Sequence, residues 1–248
     1  MSNSPEGDDA CPVRLHVKRE RGVVWVEGQV LDNRMHEHHA LQISWAAPGT
    51  LVSLRTEGGS CRGRVVVVDG GVSHALSMER GLIALVDASS SVGGRLRGRY
   101  LDGDSAAAFD ELDGWNGSLR EARASLRLGR DAPAIRDARV RAVLAWLDEM
   151  EEAERWTSVS LEGALAVAHL SRSRFLHLFS TEVGSPWRTY LVWRRALVAM
   201  VLANGDGDLT AAAHAAGYAD SAHLSRQFSA LFGVTPSTFV KNSHFVQS

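Results

Sequence analysis

Residues 220–239, DSAHLSRQFSALFGVTPSTF, set Ser221, His223, Ser225, Arg226 and Gln227 opposite an apolar stripe of Leu224, Phe228 and Leu231. A helix that only packs usually carries Lys and Glu on its wet side. Here a guanidinium, an amide, an imidazole and hydroxyls share one face. A guanidinium can hold two acceptors at once, and an amide both donates and accepts. Such a set reads the polar edges of a partner, provided the apolar side pins the helix.

The elements that would pin it occur twice. Phe175 precedes Leu224, Phe179 precedes Phe228, Gly184 precedes Gly233 and Tyr190 precedes Phe239, each by the same interval of 49 residues. Each copy predicts an Ala-rich helix, a tight turn, a second helix with apolar residues four apart, and a glycine stop. Ser171 and Asp220 stand at N-cap positions, Gly184 and Gly233 where a left-handed residue ends a helix. TYLVWRRALVAMVLANG, 189–205, predicts one helix joining the copies. Helix, turn, helix is the helix-turn-helix arrangement.

The chain of 248 residues is 45% hydrophobic and 23% charged, as a folded, water-soluble chain should be. A net charge of −2 excludes a global basic field and leaves room only for a local basic patch. Arg174, Arg188, Arg194 and Arg195 are candidates for one. Cys11 and Cys61 make neither a disulfide framework nor a zinc ribbon. The start, MSNSPEGDDACP, has no charged-then-apolar pattern, and no apolar run approaches a membrane span. The expectation is a cytoplasmic, nucleoid-associated chain with no membrane partner.

Residues 136–242, and above all AAHAAGYADSAHLSRQFSALFGVTPSTF, resemble the DNA-binding domain of the AraC/XylS family of bacterial transcription regulators. The resemblance implies two helix-turn-helix units on a long helix, with two recognition helices in successive major grooves of DNA. It supports Ser221, Ala222, His223 and Arg226 as base-facing, joined by Ser225 and Gln227 on the same helix. In the first copy the corresponding outward positions are Arg172, Ser173, Arg174, Leu176 and His177. Leu176 and His177 depart from the family, which often has Arg or a large polar residue there.

Before this half, GVVWVEGQV, ALQISWA, TLVSLRT, RVVVVDG and GLIALVDA are short β-rich runs between turn residues, the pattern of a small barrel or sandwich. MHEHHALQISWAAPG with VVVVDGGVSHAL resembles the cupin-like barrels that such regulators carry as sensors. That resemblance makes His36, His38 and His74 weak metal candidates, with Gln42 where a carboxylate would complete the set. No metal or other cofactor is assigned. A ligand cavity lined by Trp25, His36, His38, Trp45 and His74 is expected for effector sensing.

The expected fold is therefore α+β: a cupin-like barrel over 13–100, linker helices over 104–130 and an all-α domain over 134–243. The latter divides into helix-turn-helix units near 160–184 and 208–233, joined by a helix over 186–204. SAAAFDELDGW and SLREARASLRL are read as the linker helices, with a role in dimerisation. The partners implied are double-stranded DNA, a small-molecule effector, RNA polymerase if the protein activates, and a second copy. The alternative is a cupin-type metal-dependent enzyme with a helical appendage, which leaves the repeat unexplained. A DNA-repair methyl acceptor would need a reactive cysteine cluster, which Cys11 and Cys61 do not resemble. No catalytic residue is assigned.

Overall fold

The computed structural model describes residues 16–20, 23–30, 33–110, 135–206 and 208–241. The strands are β1 (His16–Glu20), β2 (Val23–Val30), β3 (Leu41–Ala46), β4 (Val52–Thr56), β5 (Gly59–Gly63), β6 (Val65–Val68), β7 (His74–Val86) and β8 (Ala106–Phe109). All described pairings are antiparallel, in the order β1-β2-β7-β3-β6-β8, with β4 between β7 and β5. The long β7 is the spine. Its residues 82–86 pair with both β2 and β3, while its residues 74–78 pair with β4. One strand serving two ladders curls the sheet into a nearly closed barrel.

Side-chain alternation gives the sheet two buried faces. Trp25, Leu41, Ile43, Trp45, Val65 and Val67 face one way and are covered by α1 (Ser91–Tyr100) through Val92 and Leu96. Val24, Val26, Leu54, Val66, Val68, Leu76 and Leu85 face the other way and share a continuous core with the helical half.

Two expectations for this half are corrected. Residues 91–100 form a helix, started by the Ser90 hydroxyl accepting from the Gly93 amide. Residues 106–109, expected to be helical, form a strand on the edge of β6. The Ala run favours a helix locally, but the open edge of Val65–Val68 offers four cross-strand partners, and tertiary pairing overrides propensity. The remaining residues of the expected linker helices, 111–128, lie outside the described residues.

The helical half comprises α2 (Ala138–Glu152), a 3-10 turn (Trp156–Ser158), α3 (Leu161–Ala168), α4 (Arg172–Val183), α5 (Trp187–Asp206), α6 (Leu209–Ala215), α7 (Ser221–Phe232) and α8 (Pro236–Lys241). Asp137, Ser160, Asp208 and Asp220 cap their helices with side-chain oxygens, whereas Ser171 precedes α4 without such a bond. α5 is buried on nearly every side, from Trp187 and Tyr190 through Trp193 to Met200. Such a helix is the axis of its domain. α4 packs Phe175 and Phe179 on Trp187, and α7 sets Phe232 against Trp193. Among the described residues no helix is long and apolar enough to cross a membrane.

Candidate nucleic-acid interface and the joint behind it

α7 is anchored by Leu224, Phe228, Leu231 and Phe232, all buried. Its start is fixed by Asp220 Oδ1, which accepts from the His223 amide at 2.6 Å. Ala222 and Arg226 are exposed, and Ser221, His223, Ser225 and Gln227 half-buried. Gln227 and His223 are joined at 2.9 Å through Nε2 of each, the amide donating to the ring. The Tyr218 ring stands edge-on to His223 at 5.3 Å. This polar face is thus held in a fixed pose, the kind of preorganisation that lowers the entropy a binding surface loses.

In α4, Arg172, Ser173, Arg174 and His177 are exposed above buried Phe175, Phe179 and Val183. Leu176 is half-buried and packs against the core, so it is an edge residue rather than an outward one. Arg188 is exposed. Arg194 is not available to a phosphate. It is buried, and its Nη2 donates to Asp148 Oδ1 at 2.7 Å and Glu151 Oε2 at 2.9 Å.

Arg194 belongs to a network that ties the two halves together. Its Nη1 donates to the Tyr190 hydroxyl at 3.3 Å, and that hydroxyl donates to Asp87 Oδ2 at 3.0 Å, just past β7. His39 Nε2 lies 3.4 Å from Asp87 Oδ1, and the Ser89 hydroxyl and amide donate to that oxygen. Burial works to raise the Asp87 pKa, but the His39 ring beside it and the hydrogen bonds from Ser89 win and hold it well below the usual carboxylate range. Burial, then the Asp87 charge, pushes the Tyr190 pKa up. This network was missed in the sequence, where Arg194 reads as a surface residue. The available signal was Asp148 and Glu151, three residues apart on one helical face.

The second joint is at the far end of α7. The Arg34 amide donates to the Gly233 carbonyl at 3.1 Å and Asn33 Nδ2 to the Phe232 carbonyl at 3.3 Å. Directly behind lie His36, His38 and His74, all buried, with one ring nitrogen of each within 4.8 Å of one from the others. Burial lowers all three pKa values, helped at His36 and His38 by His74; that of His36 falls to about 4. They are therefore neutral near pH 7. Gln42 lies 3.1 Å from His38 Nε2 and bonds the Ser44 hydroxyl. Trp25 and Trp45, stacked at 6.2 Å, belong to the opposite face of the sheet. They do not line a cavity with His36, His38 and His74.

Known proteins share both halves. Residues 165–242 match the family model of a helix-turn-helix domain. A Streptomyces antibioticus protein described as an AraC-like transcription regulator is 34% identical over 109 residues, 44% of this chain. The chain spans 35% of that relative's length. ToxT from Vibrio cholerae O395 aligns over 90% of this chain and 98% of its own, with a TM-score of 0.53 at 10% identity. The structure of ToxT bound to (E)-4-(8-methylnaphthalen-1-yl)but-3-enoic acid aligns over 89% and 98%, with a TM-score of 0.53 at 9% identity.

Fold and matched domain define a protein in which a curled β-barrel is joined to a helical half that carries a helix-turn-helix domain.

Proposed function

We propose that the chain is a sequence-specific DNA-binding transcription regulator, with α4 and α7 as its recognition helices in successive major grooves. The supporting observation is two like-built helices with exposed polar faces, both seated on α5, a helix of 20 residues. At ~1.5 Å per residue α5 is about 30 Å long, close to the ~34 Å that separates grooves on one face of the duplex. Arg226, Gln227, His223, Ser221 and Ser225 would read base edges through α7, with Ala222 able to meet a thymine methyl. Arg172, Ser173, Arg174 and His177 would do so through α4, with Leu176 as a flank.

The reading assigns no catalysis. It includes a small-molecule effector in a cavity of about 950 Å³ between the halves, lined by Val24, Leu85, Asp87, Leu144, Tyr190, Arg194 and Leu197. Ligand cavities have this size, and an occupant would touch the network that joins barrel to reader. The ToxT complex is a precedent for an organic ligand on this fold. A second copy and, for an activator, RNA polymerase complete the proposed partners.

Selection of genomic fragments by the full chain, followed by footprinting, tests the reading. The expected result is a motif with two protected patches about 10 base pairs apart. Failure to enrich any motif would overturn it.

A further inference from the structure

The cavity between the halves has apolar walls and an acidic end. Its volume of about 950 Å³ is in the range of small-molecule sites. Leu144 of α2, Leu197, Val198 and Val201 of α5 and Leu85 of β7 supply apolar wall. Along one face of α2 the lining then changes character. Leu144 is followed at helical spacing by Asp148, Glu151 and Glu152, and Glu154 stands just past the helix.

Cations are scarce at that end. Asp148 and Glu151 share a single nitrogen of Arg194. Glu152 and Glu154 are exposed, and neither has an ion-pair partner among the described residues. Arg141, the other guanidinium of the wall, donates to the Ile135 and Arg136 carbonyls. At ~1.5 Å per residue it stands about 10 Å back along the helix from Asp148. The last turn of α2 contains no basic residue, so its carboxylates sit at the negative end of the helix dipole. The result is an excess of negative potential that a cation lowers.

The wall also carries groups that a ligand would satisfy. Arg194 Cζ lies 5.6 Å from the Trp156 ring centre and 5.9 Å from that of Tyr190, both cavity residues, so aromatic faces already hold a cation here. Two buried donors of wall residues have no partner, the Trp156 indole Nε1 and Arg194 Nε. An acceptor satisfies them. A carboxylate is an acceptor, but the acids repel it; a neutral ether, carbonyl or hydroxyl oxygen meets no such repulsion.

We propose that the cavity takes an amphipathic organic amine. Its ammonium group meets the Asp148–Glu154 end, its apolar or aromatic body lies against Leu144, Leu197 and Val201, and a neutral oxygen serves the orphaned donors. The proposal rests on reading this cavity as the effector site and adds its charge selectivity. An acid such as the one in the ToxT complex is the class this cavity rejects.

Three probes with one body separate charge from shape: naphthyloxyethylamine, naphthyloxyethanol and naphthyloxyacetate, each dialysed to equilibrium against the full chain. The amine should bind saturably, raise Tm by several degrees and bind roughly tenfold or more tighter than the acetate. Glu152→Gln combined with Glu154→Gln should weaken the amine roughly fivefold and leave the alcohol unchanged. Leu197→Trp, which fills the cavity, should abolish binding of both. Amine binding unchanged in either folded variant overturns the site, and where Leu197→Trp does not fold the glutamine pair decides. An acetate or alcohol that binds as tightly as the amine overturns the selectivity alone and leaves the cavity a ligand site. No binding by any probe removes the cavity as the effector site and the amine with it, leaving the DNA-reading proposal to its own genomic selection.

Discussion

The Tyr190 hydroxyl donates to Asp87 Oδ2 across 3.0 Å, joining the central helix of the helical half to the end of the barrel's longest strand. Both partners keep other bonds, Asp87 to Ser89 and the Arg194 side of the network to Asp148 and Glu151. Tyr190→Phe therefore removes two buried bonds, one accepted from Arg194 and one donated to Asp87, without stranding a charge. It should lower stability by about 1–2 kcal/mol, with the urea m-value unchanged. An unchanged midpoint would mean that the hydroxyl does not hold the halves together.

Acid sensitivity follows from Asp87. Its folded pKa lies below its unfolded value of ~3.9, so the unfolded chain binds the proton more readily. The carboxylate's contribution to stability is then complete above pH ~4 and is lost as pH falls from there toward the folded value. Asp87→Asn should be the less stable protein at pH 7 and should lose less stability than wild type below pH 4. Urea midpoints measured from pH 7 to 3 check this; parallel curves below pH 4 would count against it.

The helical half was the legible part of the sequence because most of its signals are local. The Asp220 cap and the Gly233 stop each act within a few residues of themselves, and the 49-residue repeat shows the helix–turn–helix pattern twice. Less of the barrel could be read. Gly93, Gly94 and Gly98 hide α1, whose start depends on Ser90. Ala106–Ala108 carry no alternation, so β8 is decided by the edge of β6 alone. The histidines were visible as residue types, but their place against α7 rests on the contact between Arg34 and Gly233, 199 residues apart, which no local pattern encodes.

Arg226 and Arg188 should behave differently on DNA. Arg226 is exposed at the middle of the α7 face, where a guanidinium can take guanine O6 and N7 together. Arg226→Ala should cost about 1–3 kcal/mol on the selected site and relax preference at one base pair. Arg188, exposed at the start of α5, is the proposed phosphate contact. Arg188→Ala should weaken all sequences alike and reduce the slope of log K against log salt by about 0.9. Titrations at several salt concentrations with selected and scrambled duplexes separate the two; a uniform loss from Arg226→Ala would remove it from base readout.

Gly184 and Gly233 end α4 and α7 with nearly the same backbone, φ +75° and +69°, so alanine meets similar conformational strain at both. Their surroundings differ. A Cβ at 184 meets nothing within 4 Å, whereas one at 233 would lie 2.4 Å from the Arg34 carbonyl oxygen and 2.9 Å from the Arg34 nitrogen, both backbone atoms. Gly184→Ala should lower stability by about 1 kcal/mol. Gly233→Ala carries the same strain and must also push α7 off the barrel, for a loss larger by roughly 1–3 kcal/mol. It should also speed hydrogen exchange at residues 33–36, which Gly184→Ala leaves unchanged. Equal losses at the two positions would show that α7 does not press on the barrel, because the left-handed turn alone would account for both.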